Sequence, residues 1–510
     1  MEDGYPITSL SKSFSVKHLL ILVLSIDLIV AQSVKQSIET DINQIVKATN
    51  TPGAAVAIVF HDSIFLCKGF GYKNLEDQLN VNQNTTFAIG SSTKAFTASL
   101  IGIAENYDSI SIDDSPKRYL EKLSFHTEDM NRNITIRDLL SHRTGLPRHD
   151  LSWYLFPEQE GDVLLERIRH LEPFSAVRQQ YHYNNFGYLI LGRLAEQTLG
   201  AEWNRLIKKF IFSPLEMNNS HTSVNANKNE DRATGYSTSP QGKSTVMNYY
   251  DIAGMKAAGA IYSSVSDMTK WVQCWLNSGT FNNTQVLPKD YVIEAISSQA
   301  VMRAALPDEE FKNLFFSNYG FGWMLSSYKG HYRVEHGGNI NGFSANVCFF
   351  PAESLGIVVL TNQNNSDAPY LIRNTISDYL LNSQKTDWLA YHNKNKGEIP
   401  TEQQKTQKEI QKFNPEPIIE GNYINKGYGQ IKIQKKQNEL FVIFPVGMFR
   451  LTRTNETQFQ LLTEGNRKNI DQGTVPELLF NMDFASDGTF NGISVAMEPN
   501  LEPIPFLKEK

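Results

Sequence analysis

Phe87-Ala88-Ile89-Gly90-Ser91-Ser92-Thr93-Lys94-Ala95-Phe96-Thr97-Ala98-Ser99-Leu100-Ile101 is the stretch on which the fold turns. A short strand-like run ends at Gly90, and a helix rich in small and apolar residues begins at once. Ser-x-x-Lys on a helix places Ser91 and Lys94 on one face, one turn apart. At the helix N-terminus, Ser91 meets the positive end of the dipole, which favours developing negative charge. A partly desolvated lysine there has a lowered pKa and can accept the serine proton. The spacing also occurs at Ser9/Lys12 and Ser326/Lys329, and alone it equally describes an N-cap serine beside a surface lysine.

Two further stretches lie downstream. Tyr183-Asn184-Asn185 precedes the apolar run Phe186–Gly192, so a loop feeding a helix can present a phenol for proton transfer and an amide for a substrate carbonyl. Glu335-His336-Gly337-Gly338-Asn339 follows the strand-like Tyr332–Val334. Paired glycines in a strand mark close approach by a ligand or another backbone. An edge strand could offer the Asn339 N–H which, with that of Ser91, would form an oxyanion hole, while His336 pointed into the cleft.

Around these stretches the chain is ordinary globular protein. It has 510 residues, 41% hydrophobic and 20% charged, too many for one core. The net charge of −6, without a long basic run, gives no sign of a nucleic-acid partner. No CxxC or His/Cys cluster suggests a metal, and no cofactor is expected. Cys67, Cys274 and Cys348 lie in apolar surroundings and read as buried free thiols, with one disulfide plus an odd thiol as the alternative.

Lys12, Lys17 and His18 precede Leu19–Ile26, and Asp27 then interrupts an apolar stretch that ends at Ala31. Residues 1–31 are expected to be a signal peptide, too short for a stable membrane span; an uncleaved anchor or a short buried helix is the alternative. Sequons at Asn84, Asn133, Asn218, Asn282, Asn364 and Asn455 agree with secretion and glycosylation.

Residues 33–50 carry a helical apolar pattern, and 53–60 and 64–67 read as a hairpin of buried strands. Helices dominate from about 91 to 275, with a stripe of Val265, Met268, Val272 and Trp275 and Trp271 beside it, and strands return near 332–334, 345–350 and 356–361. One sheet closed by both ends of the domain, with a helical region inserted, is the expected α+β architecture. Residues 384–414 read as a linker, partly helical at best. Beyond it the period becomes two, as in Ile431 and Ile433 between Gln430, Lys432 and Gln434, which predicts a small antiparallel barrel or sandwich over 415–510.

Three individually weak motifs in this order, each in its required context, resemble the serine β-lactamase and penicillin-binding-protein family, in particular its class C-like members. Leu139–Leu146, Ala258–Ser264 with Asp267, Met268 and Trp271, and Tyr319–Trp323 resemble further family segments, so the likeness spans about residues 35–383. The tail is similar to the lipocalin-like domain of some members. The resemblance implies that Ser91 is acylated, Lys94 and Tyr183 share proton shuttling, Asn185 positions the substrate, and His336 replaces the lysine of the third motif. It further implies oxyanion contacts from the Ser91 and Asn339 amides and substrate contacts from Gly337 and Gly338. A neutral imidazole holds a substrate carboxylate less firmly than a lysine. The expectation is therefore a secreted hydrolase of a small ester, amide or D-amino peptide, of carboxypeptidase, aminopeptidase or esterase type. A secreted binding or matrix protein on a catalytically inactive scaffold is the alternative.

Overall fold

The computed structural model describes residues 16–223, 231–239, 241–303, 315–395, 416–462, 470, 475, 478–499 and 501–509. Its centre is a nine-stranded antiparallel sheet of β1 (Gly53–Phe60), β2 (Ser63–Asn74), β3 (Leu79–Asn80), β4 (Ala300–Val301), β5 (Ser317–Tyr319), β6 (Met324–Tyr328), β7 (His331–Ile340), β8 (Phe343–Phe350) and β9 (Leu355–Thr361). The spatial order is β4-β5-β6-β7-β8-β9-β1-β2-β3. Thus β1 lies between β2 and β9, and the two ends of the domain close one sheet, as expected from the sequence.

β8 and β9 are buried along their whole length, and β1 along all but its last residue. Helices must therefore cover both faces. On one face α1 (Val16–Ala48) sets Ile38, Ile42 and Ile45 against Val56, Ile58, Ile357 and Val359. Each of those isoleucines is essentially removed from water, contributing about 1.5–3 kcal/mol. The other face carries α2 (Thr93–Asn106), α3 (Asn185–Leu199) and the apolar stripe of α4 (Val265–Leu276). There Phe96 stacks on Trp271 with ring centres 3.9 Å apart. The helical region is the insertion between β3 and β4.

The described part of the candidate leader, 16–31, is continuous with the 33–48 helix in α1. Among the described residues no helix is long and apolar enough to cross a membrane. The expected linker begins with order: after α5 (Ala368–Leu380), α6 (Trp388–Asn395) buries Trp388, whose indole N–H donates to Asp378 at 3.0 Å. A polar composition conceals this, because one indole supplies the packing. Residues 396–414 of that linker lie outside the described residues.

The tail forms a closed eight-stranded antiparallel barrel of β10 (Gly421–Asn425), β11 (Gly429–Lys436), β12 (Glu439–Phe444), β13 (Gly447–Arg453), β14 (Gln458–Leu462), β15 (Leu479–Phe484), β16 (Phe490–Val495) and β17 (Ile504–Lys508). Tyr423 and Ile424 pair with Lys508 and Leu507 to close it, leaving no free sheet edge. Inward Ile431, Ile433, Phe449 and Leu451 alternate with exposed Gln430, Lys432 and Arg450.

Candidate active site

Gly90 makes the turn from strand to helix possible. It sits at φ +48°, and a side-chain carbon there would come to 2.8 Å from the Asn339 amide nitrogen. A tight turn of 90–92 then passes directly into α2. Gly338 answers from β7: a Cβ there would fall 1.9 Å from the Ile89 carbonyl and 3.0 Å from the Ser91 amide nitrogen. Gly338 therefore serves backbone-to-backbone packing, whereas Gly337 has open space, with only the Ala345 carbonyl within 4 Å at 3.7 Å. The Ser92 hydroxyl donates to the His336 carbonyl at 3.1 Å and ties turn to strand. β7 is internal in the sheet, but β6 pairs only with residues 331–335. Residues 336–340 form a local edge where strand meets turn.

Ser91 is half-buried, whereas Lys94 is fully buried. The Lys94 ammonium donates to the Ser91 hydroxyl at 3.2 Å, the Asn185 side-chain carbonyl at 2.7 Å and the Ala258 carbonyl at 2.9 Å. Among the described residues no carboxylate pairs with it directly. Burial, then the Arg148 charge, holds its pKa well below the usual lysine range, with Asp150 opposing. The rings of Tyr183 and Tyr188 lie 4.9 and 5.3 Å from the ammonium nitrogen.

Asn184 caps α3 by accepting the Gly187 N–H, so Asn185 enters the first turn in a fixed orientation. Both ends of the Asn185 amide are engaged, since its N–H also donates to Asp150 at 2.7 Å. This side chain orients Lys94 first. The Tyr183 phenol is buried and makes no full hydrogen bond. Burial pushes its pKa well up, and the Ser91 side chain and then Arg148 pull against that.

His336 is 1% exposed. Its Nδ1 lies 2.6 Å from the Gly337 carbonyl and therefore donates, so Nε2 accepts from the Tyr319 hydroxyl at 3.0 Å. Burial and then the Lys94 charge lower its pKa to about 3, so the ring is neutral. His142, at φ +60°, has the opposite tautomer: Nδ1 accepts the Asn184 N–H at 3.2 Å. Its ring packs 4.5 Å from Tyr183 and 4.8 Å from Tyr319.

The structure thus brings Ser91, Lys94, Tyr183, Asn185, His336 and the Gly338–Asn339 backbone into one cluster. Such an arrangement can take a proton from Ser91 onto a neutral amine and surround the serine with buried donors. His142, Arg148, Asp150 and Tyr319 also belong to the cluster, with no role legible in the sequence. Two of them lie in segments noted above, Leu139–Leu146 and Tyr319–Trp323. The other two belong to a loop with no local signature.

A beta-lactamase family model matches residues 38–379, enclosing all of these residues. The chain belongs to the beta-lactamase family. Within this hydrolase family, a protein of Aspergillus violaceofuscus named unguisins hydrolase ungD is 29% identical over 367 residues, 67% of this chain and 64% of that protein. Protein flp of Staphylococcus aureus is 24% identical over 360 residues, 70% of this chain and 68% of flp. The chain therefore matches about two thirds of these relatives' lengths. An octameric penicillin-binding protein homologue from Pyrococcus abyssi superposes with a TM-score of 0.62 over 93% of this chain and 99% of that one. At 19% identity this is likeness of fold alone.

Proposed function

We propose that this beta-lactamase-family chain is a secreted serine hydrolase that forms an acyl-enzyme on Ser91 from a small ester, amide or D-amino peptide. The observation that carries the reading is Lys94: a fully buried ammonium, 3.2 Å from the Ser91 hydroxyl, with no carboxylate paired directly to it among the described residues. Such a group loses its proton readily and serves as general base. Lys94 takes the serine proton as Ser91 Oγ attacks the carbonyl. The oxyanion then faces the Ser91 and Asn339 amides. Tyr183, whose buried phenol faces the Ser91 side chain, relays the proton to the leaving group. Asn185 and Asp150 hold Lys94, and water reverses the sequence to release the acid.

His336 stands where a cationic third motif would recognise a substrate carboxylate. Being neutral, it favours ester and amide substrates that lack that carboxylate over β-lactam antibiotics. The name of the Aspergillus relative, a hydrolase, agrees with turnover. Secretion is supported by exposed sequon asparagines at 84, 133, 218, 282 and 455; Asn364 is half-buried and its side-chain carbonyl accepts the Gly342 N–H. The three thiols are free, with Cys274 and Cys348 buried and Cys67 half-buried.

Intact-mass analysis after exposure to a fluorophosphonate tests the reading, alongside a panel of p-nitrophenyl esters, D-aminoacyl anilides and a chromogenic cephalosporin. One adduct on Ser91, and ester turnover abolished by Ser91→Ala, are expected. A folded protein that neither labels nor turns over any of the panel would establish the inactive scaffold instead.

A further inference from the structure

The loop 148–150 is gripped from both sides. His149 is a buried non-glycine residue in the left-handed region, at φ +46°. Such a conformation persists only where surrounding contacts over-determine it. Its backbone N–H donates to a carboxylate oxygen of Glu498 at 2.8 Å. Its ring Nε2 donates to the Glu172 carbonyl at 2.8 Å, so Nδ1 accepts from the Tyr428 hydroxyl, also at 2.8 Å. Glu498, only 4% exposed, follows β16, and Tyr428 precedes β11, so both pins come from the barrel.

The residues on either side of His149 reach the site. The Arg148 guanidinium lies 4.9 Å from the Tyr183 ring centre and donates to Asp150 at 2.6 Å. The other carboxylate oxygen of Asp150 accepts from Asn185 at 2.7 Å and from the Trp153 indole at 3.1 Å. Asn185 in turn holds Lys94. An unbroken chain of contacts thus runs from the barrel to the Ser91 hydroxyl. Packing locks its outer end: Phe156 sits among Tyr428, Phe444 and Phe506, and the Val446 N–H donates to the Leu155 carbonyl at 3.3 Å.

We infer that the barrel completes the active site, with Glu498 and Tyr428 as positioning residues that pin His149 and thereby set Arg148 over Tyr183 and Asp150 against Asn185. This rests on the hydrolase reading above. The groups that fix the charge state of Lys94 are Arg148, Asp150, Tyr183, Tyr188, His142 and His336. Of these, Arg148 and Asp150 move with the pin. Arg148 has the larger influence and lowers the lysine pKa, so releasing the loop raises it.

The test uses the full chain with Glu498→Ala, Glu498→Gln and Tyr428→Phe, reading the rate of fluorophosphonate labelling at Ser91 against pH, and Tm. Glu498→Ala should slow labelling by about tenfold or more, as expected for sub-ångström misplacement of a catalytic group, and move the acidic limb of the profile to higher pH. Glu498→Gln should return the rate to within about threefold of wild type, because the amide oxygen accepts the same N–H. Tyr428→Phe should slow labelling in the same direction. Wild-type rate and an unmoved limb in Glu498→Ala would overturn the inference alone. So would slowing that tracks Tm with the limb unmoved, or a Gln variant as slow as the Ala one. Wild-type chain that fails to label overturns the hydrolase reading and this inference with it.

Discussion

β7 faces two systems of charged and polar groups on opposite sides of the sheet, and they are built differently. On the face covered by α5, Glu335 lies between Arg333, at 3.2 Å, and Arg373, while Asn346 donates to it at 3.1 Å. Every charge there has a partner. On the Ser91 face, one residue along, His336 is neutral, and Lys94 has hydrogen-bond acceptors but no directly paired carboxylate among the described residues. A paired buried charge holds a structure together once it is made, and breaking it is costly. An unpaired one is poised to give up its proton, which makes it useful as a base. The same strand thus separates an architectural network from a chemical one.

Substitutions on the two faces should therefore fail in different ways. The largest effect is expected from Lys94→Ala, which removes the proton acceptor. Single-turnover acylation at Ser91 should fall by about 10²–10⁴-fold, the usual worth of a positioned base, and stopped-flow with an activated ester measures it. Next is Glu335→Ala, which strands Arg333 and Arg373. It should cost about 3–5 kcal/mol in denaturant unfolding while the folded fraction acylates at the wild-type rate. If Glu335→Ala instead abolished acylation with stability intact, the division between the two faces would fail.

The smallest effect is acid sensitivity. Burial holds His336 at about 3 and His149 at about 4, against 6.5 for an unperturbed histidine. Between those values the unfolded chain binds more protons than the folded one. Unfolding free energy should therefore fall as pH drops below about 6.5 and go on falling towards pH 3–4. Urea midpoints measured across that range should decrease, and His149→Asn should flatten part of the slope.

The fold was largely legible because its signals are periodic or local. The continuous apolar run of β1 announced a strand buried on both faces, and the alternation at Ile431 and Ile433 announced the barrel. Ser91–Lys94, Tyr183–Asn185 and His336–Asn339 were legible because each sits where a strand or loop meets the next element. Arg148, Asp150 and Glu498 were not. His149 and Glu498 are 349 positions apart, and no spacing rule links them. The engagement of the Asn185 amide by Lys94 and Asp150 was not legible either, because only tertiary contacts determine it. The paired glycines announced a close approach without saying that the approaching group at Gly338 is the Ile89 carbonyl.

The pH dependence of the single-turnover acylation rate at Ser91, followed by intact mass from about pH 5 to 11, tests most directly whether a neutral lysine activates this serine. The rate should rise with one titration and level off well below the ordinary lysine value near 10.4. A rate still climbing through pH 10.4, or one that Lys94→Ala leaves unchanged, would contradict the account.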